Sequence, residues 1–101
     1  MDEKMNGQAT EVQIKKWKEE HGDVFFAKSD GHIAYFRKPK RQELSYSMTM
    51  QDDPLKMAES LLKSCFIGGS EVFLNDLEFL LGAAELMDQL MAVKKAELGK
   101  L

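Results

Sequence analysis

Residues 23–39, DVFFAKSDGHIAYFRKP, constrain the fold more than any other part of the chain because they indicate a β-hairpin. Asp30 and Gly31 form a strong two-residue turn signal, since both residue types tolerate a positive φ. Pro39 ends the second strand because it has no N–H with which to continue a ladder. The turn predicts four strand pairs: Ser29 with His32, Ala27 with Ala34, Phe26 with Tyr35, and Phe25 with Phe36.

Both faces of the predicted hairpin are apolar, and an isolated two-stranded hairpin is marginal in water. We therefore expect the hairpin to be covered twice, by the helices of the chain and by another protein chain. Its two edges lack partners in the sequence pattern, and such edges invite strand addition from a second copy or from a different protein. Alternation assigns Val24, Phe26, Ile33 and Tyr35 to one face, and Phe25, Ala27, Ala34 and Phe36 to the other.

A first helix is predicted before the hairpin. Thr10 and Gln13 form a capping-box pattern at its start, and Gly22 suits the left-handed position that follows its last turn. The apolar side of this helix is narrow. We therefore expect the helix to lie on the surface of the domain, with Trp17 as its anchor.

Three helices are predicted after the hairpin, over residues 40–50, 54–66 and 76–98. Asp53 precedes a proline and suits the N-cap of the second of these helices. Asn75 is predicted to cap the last and longest one. The predicted fold class is therefore α+β, with an N-terminal helix, one β-hairpin and then three helices.

Residues 1–9 are polar and are predicted to form a flexible tail, and residues 10–101 are predicted to form a single domain. Gly68 and Gly69 are predicted to break the second of the three later helices, and a loop or short turn is expected over residues 70–74.

Two neighbouring apolar stripes run along the last predicted helix. Together they cover more surface than one small core needs. Two interpretations remain open: this helix is the central helix of the domain, or part of it faces a partner protein. The stripes are Leu77, Leu80, Leu81, Ala84, Met87 and Met91, and Phe79, Ala83, Leu86, Leu90 and Val93.

Charge and hydropathy exclude two kinds of partner. The net charge of −3 does not provide the positive surface that a nucleic-acid binder needs to neutralise phosphates. The local run of basic residues at 37–41 fits a solvated strand exit and helix start. The sequence contains no apolar run of about 18 residues, so no membrane span is expected, and the polar N-terminus does not resemble a signal peptide.

We expect no catalytic site, no cofactor site and no metal site. His21 and His32 have no metal-ligand spacing to each other or to the single cysteine, Cys65. Cys65 lies between apolar residues, which favours a buried thiol, and a lone cysteine suits a reducing compartment. Asp52 and Asp53 are explained as a helix cap. Neither enzyme activity nor a small-molecule substrate is therefore expected.

Seven methionines are an unusual feature of a chain of this length. Methionine is flexible and polarisable, so it serves well at adaptable binding surfaces, but it also fills gaps in cores. Both roles remain open for the methionines of the predicted helices, which are Met48, Met50, Met57, Met87 and Met91.

Over about 85 residues, the order of elements and several local strings resemble the small tail assembly chaperones of long-tailed bacteriophages and related prophage proteins of Bacteroides-type hosts. In that family an extended segment leads through an Arg-x-Pro-x-Arg-like element into a helix. A second helix ends in a cysteine, an apolar pair and glycines. The strings here are IKKWKEEHGDVF (14–25), AYFRKPKRQELS (34–45), DPLKMAESLLKSCFIGG (53–69) and VKKAELGKL (93–101).

The resemblance implies a protein of virion morphogenesis that acts in the cytoplasm of the bacterial host. Such chaperones are thought to keep the apolar helices of the tape-measure protein soluble and to recruit tail-tube subunits. The partners implied are therefore proteins, and self-association into a homo-oligomer is expected. The family is often also expressed in a longer form through a ribosomal frameshift.

Two other interpretations are kept beside the tail assembly chaperone. The chain would be a structural virion component, such as a small head, connector or tail protein, or it would regulate a host protein. In the chaperone interpretation, the predicted protein-binding residues are Trp17, Phe25, Tyr35 and Phe36, together with Met87, Leu90 and Met91 of the last helix.

Overall fold

The computed structural model of the chain describes residues 5–85 and 96–101. Helices and an antiparallel sheet alternate along it, which confirms the predicted α+β class. In chain order the elements are α1 (Glu11–His21), β1 (Val24–Ser29), β2 (His32–Arg37), α2 (Arg41–Met48), α3 (Pro54–Cys65), β3 (Phe66–Gly69), α4 (Val72–Asn75) and α5 (Leu77–Ala84).

The hairpin forms with the predicted turn and the predicted register. Asp30 has a φ of 48° and Gly31 a φ of 79°, so both turn residues occupy the left-handed region that the Asp-Gly pair favours. All four predicted pairs are present, from Ser29 with His32 at the turn to Phe25 with Phe36 near the strand ends. Local turn chemistry is therefore sufficient to fix this part of the fold.

A third strand, β3, pairs antiparallel with β2 and makes β2 the central strand of the sheet. The sequence pattern does not predict this strand, because a pair of glycines such as Gly68 and Gly69 indicates a helix end. Their real role is close packing: a Cβ atom on Gly69 would lie 2.6 Å from the Cα of Ala34. Of the two hairpin edges that were predicted to be unpaired, one is thus occupied by β3.

The segment before α1 lies against the same side of β2. The N–H of Asn6 donates to the carbonyl of Gly31 at 2.8 Å, and the N–H of Ile33 donates to the carbonyl of Asn6 at 2.9 Å. Further along, the N–H of Ala9 donates to the hydroxyl of Tyr35 at 3.2 Å. Within residues 5–9, the described part of the predicted flexible tail, Asn6 therefore adds a single parallel bridge to β2 beside the end of β3.

The core lies between the sheet and helices α3, α4 and α5. It is built on the hairpin face that carries Phe36, which is fully buried. The opposite face, with Ile33 and Tyr35, is covered by α1 and the segment before it. Among the described residues, the buried side chains of this core cluster are Ala27, Ala34, Phe36, Leu61, Leu62, Cys65, Phe73, Leu80 and Ala83.

Most of the predicted helix ends are confirmed. Thr10 and Gln13 form the capping box of α1, and the carboxylate of Asp53 accepts the N–H of Lys56 at the start of α3. The cap of α5 was misplaced by one residue: the Asp76 side chain, not that of Asn75, accepts the N–H groups of the first turn.

The long C-terminal helix predicted over residues 76–98 is not shown. Helix α5 ends at Ala84, and residues 96–101 have no regular secondary structure. Residues 86–95 lie outside the described part of the chain. The predicted binding residues Met87, Leu90 and Met91 lie there as well.

Candidate protein-binding surfaces

Trp17 is an anchor within the chain. Its ring centroid lies 5.3 Å from that of Tyr35, with 44° between the ring planes. A Cβ atom on Gly68 would lie 2.7 Å from two carbons of the same indole, so the ring rests directly on the β3 backbone. Half-buried in this position, Trp17 fixes α1 to the sheet, as the sequence predicted for the helix anchor.

The other described residues of the predicted binding set lie on both faces of the hairpin. Phe36 is fully buried and packs edge-on against Phe66, with 5.9 Å between ring centroids. Tyr35 is 4% exposed, and Phe25 is half-buried against the core. The structure thus divides the set: Tyr35 lies with Trp17 under α1, and Phe25 lies with Phe36 at the core. Tyr35 and Phe36 offer no surface to a partner. Sequence alternation alone missed Phe26, which is the exposed aromatic of the hairpin at 55%.

The first open surface is the outer edge of β1, which we call the β1-edge groove. Four consecutive residues of the strand, 26–29, line it. Because side chains alternate in a strand, a run of four lining residues means that the strand presents its backbone edge to the groove. Helix α5 forms the opposite wall. The remaining lining residues are Phe73, Glu78, Phe79, Gly82, Ala83 and Glu85.

The second open surface is an apolar cleft of about 380 Å³ between α2 and α3, which we call the α2–α3 cleft. Only the hydroxyl of Ser47 and the amide of Gln51 add polar side-chain groups. Ser47 is 1% exposed and its hydroxyl bonds to that of Ser60 at 3.2 Å, so its polar group is satisfied. The lining residues are Leu44, Ser47, Met48, Gln51, Pro54, Met57 and Leu61.

The residues that line this cleft were visible in the sequence, but no helical pattern there predicted that they lie side by side. Leu44 and Met48 lie one helical turn apart on α2, and Met57 belongs to α3. A short turn over residues 49–53 joins the two helices, and a short connection of this kind favours antiparallel packing. That connection was the signal which could have placed the two methionines on the walls of one cleft.

An ion pair holds the end of β2 to both of these helices. The Arg37 guanidinium donates to both carboxylate oxygens of Glu43, at 2.7 and 2.8 Å, and to the carbonyl of Ser64 at 2.8 Å. The hydrogen bonds from Arg37 lower the pKa of Glu43 to about 2, with a further contribution from the N–H of Lys40. The same bonds raise the pKa of Arg37. This pair is a structural clamp between β2, α2 and α3.

Cys65 and His32 are two further polar side chains, and both are packed within the fold. Burial raises the pKa of the Cys65 thiol to about 11, so this cysteine is protonated and a poor nucleophile at neutral pH. The Nδ1 atom of His32 lies 2.9 Å from the hydroxyl of Ser70, and its ring packs edge-on against Phe79 at 5.3 Å. This contact ties β2 to the segment after β3.

Within residues 5–85 and 96–101, no helix has the length and apolar character needed to cross a membrane. In the same part of the chain, no three His, Cys, Asp or Glu side chains cluster in a way that could hold a metal ion. Comparisons with protein-family models, with curated proteins and with solved structures found no match.

Proposed function

We propose that this chain is a protein-binding module and acts as a phage tail assembly chaperone in the cytoplasm of the bacterial host. The observation that carries the proposal is the α2–α3 cleft, which is apolar and open to solvent. In this proposal the cleft receives the apolar side chains of a helical segment of the tape-measure protein.

The cleft suits a helical client for two physical reasons. An amphipathic helix binds by laying a stripe of apolar side chains into a hydrophobic groove. The two methionines of the walls, Met48 and Met57, have flexible side chains that can repack around clients of different sequence. Met48 is already 52% exposed, so client contact would remove apolar surface from water.

A second apolar surface supports binding rather than catalysis. Leu77 and Leu81 lie one turn apart on α5 and are 57% and 51% exposed. The apolar stripes in the sequence are compatible either with a central helix or with one that partly faces a partner, and these exposures favour the second alternative. We propose that tail-tube subunits or a second copy of the chain contact this side of α5.

The test compares two charge substitutions on the same helix. Met48→Glu places a carboxylate at the mouth of the α2–α3 cleft, whereas Tyr46→Glu changes a residue that is 62% exposed and does not line it. We expect Met48→Glu to weaken binding of an apolar helical fragment of the tape-measure protein at least about tenfold, because a buried unpaired carboxylate is costly. Tyr46→Glu should bind like the unmodified chain.

Equal binding by both variants would contradict the role of the cleft, and no binding by the unmodified chain would contradict the chaperone function. Mass spectrometry of mature phage particles separates the alternative, because a structural virion component would be present in stoichiometric amounts. Sedimentation of the purified chain at several concentrations tests the expected homo-oligomer.

A further inference from the structure

We propose that the β1-edge groove binds an extended, basic segment of another protein as an additional strand of the sheet. This proposal concerns a different surface from the α2–α3 cleft and holds or fails independently of it. Three features carry it: the hydrogen-bonding direction of β1, the shape of the groove, and the charge of its wall.

The backbone of β1 directs unpaired groups into the groove. On β2, Ile33 uses its N–H and its carbonyl on the side away from β1, where they bond to Asn6 and Ser70. The pair of Lys28 and Ile33 is therefore a non-hydrogen-bonded pair of the hairpin ladder, and so, by alternation, is the pair of Phe26 and Tyr35. The N–H and carbonyl groups of Phe26 and Lys28 must then point outward.

Among the described residues, no hydrogen bond reaches these outward groups of Phe26 and Lys28. Two N–H donors and two carbonyl acceptors thus lie along one open edge, at the two-residue spacing of a strand. This is the arrangement that an added strand satisfies.

The wall opposite β1 determines what can lie beside the strand. Helix α5 lies across from the strand edge and contributes Phe79 and Ala83 to the apolar lining. Gly82 also lines the groove, and a Cβ atom on it would meet no atom within 4 Å. A partner backbone can therefore approach α5 closely at this position. Since α5 itself forms the wall, a single extended segment fits better than a second copy with its own helix.

The charges of the groove select the partner. The α5 wall carries two carboxylates, those of Glu78 and Glu85, while the β1 side carries one ammonium, that of Lys28. A segment that alternates apolar and basic residues would place its apolar side chains against the aromatic lining and its cations near the glutamates. An acidic segment would be repelled by the same wall.

The probes are three short capped peptides: Lys-Val-Lys-Val-Lys-Val-Lys, its glutamate counterpart, and the lysine peptide with proline at its central position. Binding is measured by isothermal titration calorimetry. Amide hydrogen exchange, followed by NMR, shows where each peptide binds. We expect the lysine peptide to bind at least about tenfold more tightly than the other two and to slow exchange at the amides of Phe26 and Lys28.

Gly82→Leu fills the groove from the helix side, and the replacement is compatible with a helix interior because the space above Gly82 is open. We expect it to abolish binding of the lysine peptide. The matched control, Leu81→Gln, changes the neighbouring exposed residue, which does not line the groove, and should bind normally. Met48→Glu should also leave peptide binding unchanged, which separates this test from that of the cleft.

Four outcomes would overturn the proposal. They are absence of binding to the unmodified chain, binding without protection of the two amides, equal binding by Gly82→Leu, and equal binding of the lysine and glutamate peptides. Dimerisation of the unmodified chain that Gly82→Leu abolishes would show that a second copy occupies the groove, which also overturns it.

Discussion

The indole of Trp17 occupies the space above Gly68 in which any other residue would carry its Cβ atom, with two ring carbons 2.7 Å from that position. We expect Gly68→Ala to lower the free energy of unfolding by about 1–3 kcal/mol, because the ring must move off the sheet to admit a methyl group. Urea denaturation followed by tryptophan fluorescence measures the change.

Gly82→Ala is the matched control for that substitution. A Cβ atom there meets nothing within 4 Å, so alanine should raise the free energy of unfolding by about 0.5–1 kcal/mol through its higher helix propensity. In a double-mutant cycle, Trp17→Leu should remove most of the cost of Gly68→Ala. A cost of Gly68→Ala that persists in full without the indole would show that the contact between the two residues is not its cause.

The ion pair of Arg37 and Glu43 predicts how stability changes in acid. Because the pKa of Glu43 is lowered from 4.5 to about 2 in the folded chain, its contribution is fully present above about pH 4.5. It is lost as the pH falls from about 4.5 through about 2, since protonation breaks the charged hydrogen bonds. Urea midpoints measured at a series of pH values should therefore decline in this window.

Glu43→Gln should lower the free energy of unfolding at pH 7 by roughly 1–3 kcal/mol and should flatten this acid decline. The control is Glu59→Gln, which removes a carboxylate from a more exposed pair with Lys63 and should change stability by less than about 1 kcal/mol. An acid decline of unchanged steepness in Glu43→Gln would assign the pH dependence to other carboxylates.

The hairpin register was predictable from sequence because the turn alone fixes it. Asp30 and Gly31 set the loop length, and the loop length determines which residues face each other. The identity of β3 was not predictable in this way. Phe66–Gly69 is a four-residue segment with two glycines, and its pairing partner, β2, lies about thirty residues earlier in the chain. Only the assembled sheet makes it a strand.

The candidate binding surfaces were harder to predict than the fold. Both hairpin faces carry aromatic residues, so alternation could not decide that Phe36 is enclosed while Phe26 is 55% exposed. The two open surfaces depend on long-range packing. The α2–α3 cleft requires the packing of two helices, and the β1-edge groove requires the placement of α5 beside a strand fifty residues earlier.

Cys65 should be protected from thiol reagents in the folded chain. Its pKa of about 11 leaves about a hundredfold less thiolate at neutral pH than the ordinary value of 9.0. We expect labelling by a maleimide at pH 7.5 to be slow in buffer and fast in denaturant. Ser45→Cys, which adds an exposed thiol on α2, should label rapidly at one site in buffer. Rapid labelling of both cysteines in that variant would contradict the buried position of Cys65.

Gly31→Ala tests the turn that defines the hairpin. With a φ of 79°, this position costs an alanine roughly 1–2 kcal/mol, even though no atom lies within 4 Å of the added methyl group. The loss should appear in the urea midpoint. Gly99→Ala is the control, because Gly99 has the same open surroundings without a positive φ, and it should leave the midpoint unchanged. Equal effects of the two substitutions would exclude backbone strain as the cause.

Helix α3 ends at Cys65 and strand β3 begins at the very next residue, Phe66. This junction should not tolerate an inserted sequence. An epitope tag or a fluorescent reporter inserted there would have to pull either a buried helical turn or a paired strand out of place. Residues 96–101 offer the opposite situation, because they are exposed and have no regular secondary structure, so labels for imaging or affinity capture belong there.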